Sequence, residues 1–113
     1  MPNTIQIGRT DNDFGTVTPV GTTLVSAPTL VNGVNRCPAA AGAVAVALPT
    51  NAAGPIVVHN TAGTATALTV FPPTAAGTIN AGSAGAAFSV SQNVRAIFYP
   101  HPNGVDFTAV LSA

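Results

Sequence analysis

The chain has no tryptophan, no lysine and no glutamate, one cysteine, and only six charged side chains among 113 residues. Charged residues make up 5% of it, against about 25% in ordinary soluble domains. Each shortage excludes something. Disordered chains combine low hydrophobicity with high net charge, whereas this one is 47% hydrophobic with a formal net charge of zero. Nucleic-acid binders carry a basic footprint, but the cations here are Arg9, Arg36 and Arg95, far apart in sequence. No nucleic-acid partner is expected. Cys37 stands alone, so no disulfide forms within the chain. With no base beside it in sequence, it reads as a small buried hydrophobe rather than a reactive thiol. The most apolar run, Ala39 to Leu48, lies between Pro38 and Pro49 and is half the length of a membrane helix, which needs about 20 residues. The first residues, Met1 to Gly8, show neither a basic nor an apolar leader region, and Asn-x-Ser/Thr acceptors are absent. These signs lead us to expect synthesis in a host cytoplasm, without export and without a membrane partner.

Bulk is scarce too. Five Phe and one Tyr supply all the aromatic surface, so Ala, Val and Thr must fill the interior. A single domain of this size buries only about two-thirds of its chain surface. A surface so poor in charge favours self-association. A homo-oligomer or other assembly is therefore the expected natural state.

What the chain does have is punctuation and period-two patterning. Eleven Gly and ten Pro interrupt it too often for ordinary helices. Between the breaks, apolar and polar residues alternate as in strands with one buried face. Candidate strands are Thr22 to Leu30, Val44 to Leu48, Ile56 to His59, Ala65 to Phe71, Ala86 to Val90, Val94 to Tyr99 and Val105 to Leu111. The β-branched run at Ile56 reads as a central strand covered on both sides. The last two strands flank Pro100-His-Pro-Asn-Gly104 and read as a β-hairpin. The expected fold is all-β, a single-domain β-sandwich or jelly-roll-like barrel of about seven to nine short strands. A short helix at 39–47 or 81–87 is the alternative that alanine content raises. The buried bulk should include Ile56, Val58, Leu68, Val70, Ile97, Phe98 and Phe107. A corner recurs at Pro38–Gly42, Pro49–Gly54 and Pro73–Gly77, where proline sets the approach and glycine supplies a positive φ. Residues 1–20 differ from the rest and read as an extended N-terminal arm, leaving 21–113 as the β-domain.

Chemistry-bearing residues are few. The carboxylates are Asp11, Asp13 and Asp106, which offer no separated acid–base pair. Asp11-Asn-Asp13 opens like a calcium loop but lacks the later glycine and glutamate. His59 and His101, with Cys37, form no recognisable ligand spacing. Gly82-Ser-Ala-Gly85 is not a nucleophile turn, and no phosphate loop or dinucleotide fingerprint occurs. No enzyme, metal, cofactor or small-molecule substrate is expected. A carbohydrate or receptor surface would have only Tyr99 as a platform.

Residues 44–110 resemble a β-domain recurring in tailed-bacteriophage virion proteins. The resemblance runs through Val46-Ala-Leu48-Pro49, Ala52-Ala-Gly54, Val57-Val-His-Asn60, Leu68-Thr-Val70-Phe71-Pro72, Gly77-Thr-Ile79-Asn80 and Ala96-Ile-Phe98-Tyr99. The family pattern often ends in a tryptophan near the last strand, where this chain has Phe107. The resemblance implies a virion protein, and a single small domain without shaft or heptads is most similar to a capsid decoration (cement) protein. Its expected partners are the major capsid protein and itself, commonly as a homotrimer, at the capsid surface. A tail or tail-fibre component with receptor contact is the alternative, and a stand-alone intracellular binding module a third. In the arm, Ile5, Gln6, Ile7, Arg9, Asp11 and Asp13 are the candidate capsid-docking residues, with Thr4 to Ile7 adding a strand to a partner's sheet edge.

Overall fold

Proline and glycine breaks cut the chain into strands of three to six residues. A computed structural model describes residues 14–31 and 33–112. In order these strands are β1 (Phe14–Thr16), β2 (Val34–Cys37), β3 (Ala45–Ala47), β4 (Ile56–Asn60), β5 (Leu68–Phe71), β6 (Phe88–Val90), β7 (Arg95–Pro100) and β8 (Phe107–Ser112). The fold is all-β, and the described residues contain no helix, neither at 39–47 nor at 81–87. The strands form one five-stranded sheet, β1-β2-β4-β7-β8, and one three-stranded sheet, β3-β5-β6.

Neither sheet closes on itself, which removes the barrel expectation. The jelly-roll description also fails in its pairing. Jelly rolls are antiparallel, whereas β1–β2, β2–β4 and β3–β5 here are parallel. The corners explain this. The chain leaves β2 through Pro38–Gly42 into the other sheet, then returns from β3 through Pro49–Gly54 to β4. Each crossing and return lays a strand parallel to its predecessor without a helix. Of the three corner glycines only Gly42 takes a positive φ, 76°. Gly77 is needed for another reason, because a Cβ there would collide with the Val105 carbonyl oxygen.

One core joins both sheets. Cys37, Val58, Ala96, Phe98 and Phe107 of the larger sheet cluster with Val46, Leu68, Val70 and Val90 of the smaller. Phe88 on β6 meets Phe98 on β7 edge to face, with ring centroids 5.6 Å apart. Six of the seven expected core residues are buried. The exception is Ile97. Ala96 and Phe98 face inward, so strand alternation turns Ile97 outward. The same alternation corrects β4: Ile56, Val58 and Asn60 are buried, while Val57 and His59 lie on the half-exposed outer face.

Thr22 to Leu30 is not a strand. Ser26 Oγ lies 3.0 Å from the Val20 carbonyl oxygen and holds a turn there, and only Thr29 bridges, to Ala47. The segment instead covers the free edge of β3: Val20 N–H donates to Ala45 C=O at 3.1 Å, and Leu30 N–H to Ala47 C=O at 2.8 Å. At the start of the chain, residues 14–16 pair with β2, Val17 N–H donates to Arg36 C=O, and Pro19 is buried. This part of the expected arm is therefore built into the domain.

Candidate functional site

The side chains that strand alternation turns outward on the five-stranded sheet fall into two transverse rows. Phe14, Val34, Val57, Ile97 and Val110 are successive register partners across all five strands. Two residues along, Thr16, Arg36, His59 and Arg95 are partners in the same way across β1, β2, β4 and β7. The first row is apolar. The second brings two of the chain's three arginines and one of its two histidines onto neighbouring strands.

Between the rows lies an open groove of about 450 Å³, lined by Phe14, Val34, Arg36, Val57, His59, Arg95 and Ile97. The Arg36 guanidinium carbon sits 4.1 Å from the centre of the Phe14 ring, a cation–π contact worth about 0.5–1 kcal/mol at an exposed site. Among the described residues no carboxylate pairs with either arginine. The one described acid, Asp106, lies in the β7–β8 connection, where Asn103 Nδ2 donates to it at 2.7 Å and Thr78 N–H at 2.9 Å. These two bonds hold its carboxyl below the usual carboxylate range. The groove can therefore present positive charge beside apolar surface, which suits an anionic group carried on an apolar body.

The expected docking residues Ile5, Gln6, Ile7, Arg9, Asp11 and Asp13 lie outside the described residues. The three groups weighed as metal ligands are not brought together. Cys37 points into the core, and burial pushes its thiol up to about 12. His59 points outward, and His101 Nε2 is 2.8 Å from Thr108 Oγ1 in the hairpin. No group of three His, Cys, Asp or Glu capable of holding a metal occurs among the described residues. Tyr99 is exposed on the outer face, opposite Thr108.

The cationic row is what sequence reading missed. Arg36 and Arg95 are scattered along the chain, and only the β2–β4–β7 order makes them neighbours. A signal existed: Val34-x-Arg36, Val57-x-His59 and Arg95-x-Ile97 each place an apolar residue and a cation or imidazole two apart, on one face of a strand.

A second groove of about 580 Å³ runs between Leu30, Val31, Pro49, Ala52, Pro55 and Ile56, and among the described residues no charged one lines it. Comparison of the chain with protein families, with curated proteins and with solved structures finds no match.

Proposed function

We propose that the two sheets pack face to face as a sandwich and that the protein is a structural virion component, decorating and stabilising the capsid of a tailed bacteriophage by binding its major capsid protein. The observation that carries this reading is the ordered set of family-like segments between residues 44 and 110. The uncharged, assembly-prone composition supports it. The core joining both sheets, with Phe88 against Phe98, supports the sandwich.

In this reading the protein is not an enzyme, it is located at the capsid surface, and its arm residues Ile5, Gln6, Ile7, Arg9, Asp11 and Asp13 meet the shell. Backbone pairing of Thr4 to Ile7 with a capsid-protein edge would supply affinity, and the isoleucines register.

The test is co-sedimentation of the purified protein with shells lacking it, for the full chain and for a chain without residues 2–13. Binding by the full chain and its loss on truncation, with the melting transition retained, is the expected result. Equal binding by both chains removes the arm from the account. Absence of binding by the full chain removes the decoration role. A tail or fibre component remains the alternative class.

A further inference from the structure

On the outer face of the five-stranded sheet, Arg36 and Arg95 stand on either side of the β4 strand that bears His59. Among the described residues no carboxylate answers them. Beside them runs the apolar row from Phe14 to Val110, whose two ends are 48% and 52% exposed. The solvated face of a sheet is ordinarily polar. An apolar row flanked by unanswered cations suits a partner that is apolar and acidic at once. Arg36 is already set for such a contact, with its guanidinium carbon 4.1 Å from the centre of the Phe14 ring. The ring covers one flat side of the guanidinium and leaves its N–H edges to a carboxylate.

We infer that this face docks an amphipathic helix of another protein, its apolar stripe on Val34, Val57 and Ile97 and two carboxylates, seven residues apart, on Arg36 and Arg95. The dimensions select a helix. The apolar and cationic rows lie two residues apart along the strands, about 7 Å. An extended segment sets the side chains of one side in a single line and covers one row, whereas a helix about 10 Å across covers both. Arg36 and Arg95, with one strand between them, stand about 10 Å apart. Seven residues of helix rise by about 10 Å and return to nearly the same side. Forked guanidiniums bind carboxylates in two-toothed pairs, and the apolar row beside them limits the water that reaches those pairs.

This chain does not supply such a helix. Its acids are Asp11, Asp13 and Asp106, no two of which are three, four or seven residues apart. No segment of it therefore carries carboxylates at helical spacing along one side. Docking of a helix into an apolar groove, with residues i, i+3, i+4 and i+7 as anchors, is a general mode of recognition. Here the groove between the rows holds about 450 Å³ and has cations along one side. The inference goes beyond the capsid reading. It concerns a face of the sheet and not the arm, and it stands whether or not the protein decorates a shell.

The probe is a synthetic peptide of about 20 residues, about 30 Å long as a helix, with Leu at the a and d positions of each heptad, Glu at each e position and Ala or Gln elsewhere. Its binding to the full-length protein is read by titration calorimetry, and its helicity by circular dichroism. The unaltered chain should bind the peptide and raise its helicity. Arg36→Gln with Arg95→Gln should weaken binding about tenfold or more. Val57→Thr with Ile97→Thr, which makes the floor polar, should weaken it as well. A chain with Arg36→Glu and Arg95→Glu should prefer the peptide that has Lys at the e positions, and the Gln pair carries the test should this reversed chain unfold. No binding by the unaltered chain, equal binding of a peptide with Gln at the e positions, binding without a rise in helicity, or binding unmoved by either the arginine or the floor variants would each overturn the inference. Binding that appears only with Asp11→Asn and Asp13→Asn would show that the chain's own acids answer the arginines, and would overturn it too.

Discussion

Asn60 shows how one side chain can fix a fold. It is fully buried at the end of β4, where its Nδ2 donates to Thr66 C=O at 2.8 Å and Val90 C=O at 2.9 Å, and its Oδ1 accepts from Ala62 N–H at 3.0 Å. It ties the larger sheet to β6 and to the crossing that leads to β5. Such a polar group is cheap to bury only because all these bonds are made. Phe98 does comparable work by bulk, since it is wholly buried and meets Phe88 across the sheets. Phe98→Ala should destabilise the protein by about 3–5 kcal/mol in denaturant unfolding. An unchanged unfolding midpoint would show that this ring does not anchor the core. Cys37 supplies a pH readout. Its folded thiol titrates at about 12 against an ordinary 9.0. A raised folded value means that the contribution is complete below pH 9 and is lost as pH rises towards 12. The native thiol should therefore resist a maleimide reagent at pH 8 and react only on unfolding. Rapid labelling of the folded protein would contradict its burial.

At the scale of elements, the edges of the larger sheet are managed by devices that sequence patterning reveals only in part. Edge strands expose unpaired backbone groups that invite association. On β8, the Asn80 side chain accepts from Ala109 N–H at 2.8 Å and donates to Ala109 C=O at 3.3 Å, while Asn80 N–H donates to Phe107 C=O at 2.9 Å. Asn80 thus occupies the edge as a neighbouring strand would. Asn80→Gly keeps its positive φ of 57° available while removing the side-chain plug. The expected outcome is faster amide exchange at Ala109 and a greater tendency to associate through β8. Unaltered exchange would show that the side chain does not guard the edge. The hairpin β7–β8 was legible because Asn103-Gly104 lies between two alternating runs, and Gly104 does take a φ of 84°. Thr22 to Leu30 was misread because its alternation resembles a strand, yet Ser26 bonds locally to the backbone and turns the chain. Alternation also told correctly that β4 and β7 are strands, but the side that Ile97 faces depends on register, which comes from neighbours far along the chain.

For the whole molecule, the segments on which the proposed virion role rests are structural in their chemistry: Leu48, Val58 and Phe98 fill the core, Asn60 bridges sheets, Asn80 closes an edge. The fold class was therefore readable from sequence, because burial and turn chemistry are local. The candidate site was not, because Arg36, His59 and Arg95 become neighbours only through parallel crossings that join strands distant in sequence. Scarcity of charge also sets an expectation for shell attachment. Raising salt from 0.1 M to 1 M shortens the Debye length from about 10 Å to about 3 Å. Attachment built on apolar burial and backbone pairing should survive that change. The most direct measurement of the central claim is electron microscopy of phage particles labelled with an antibody against this protein. The decoration account predicts label distributed over the whole capsid surface. Label confined to one vertex or to the tail, or absent from the particles, would contradict it.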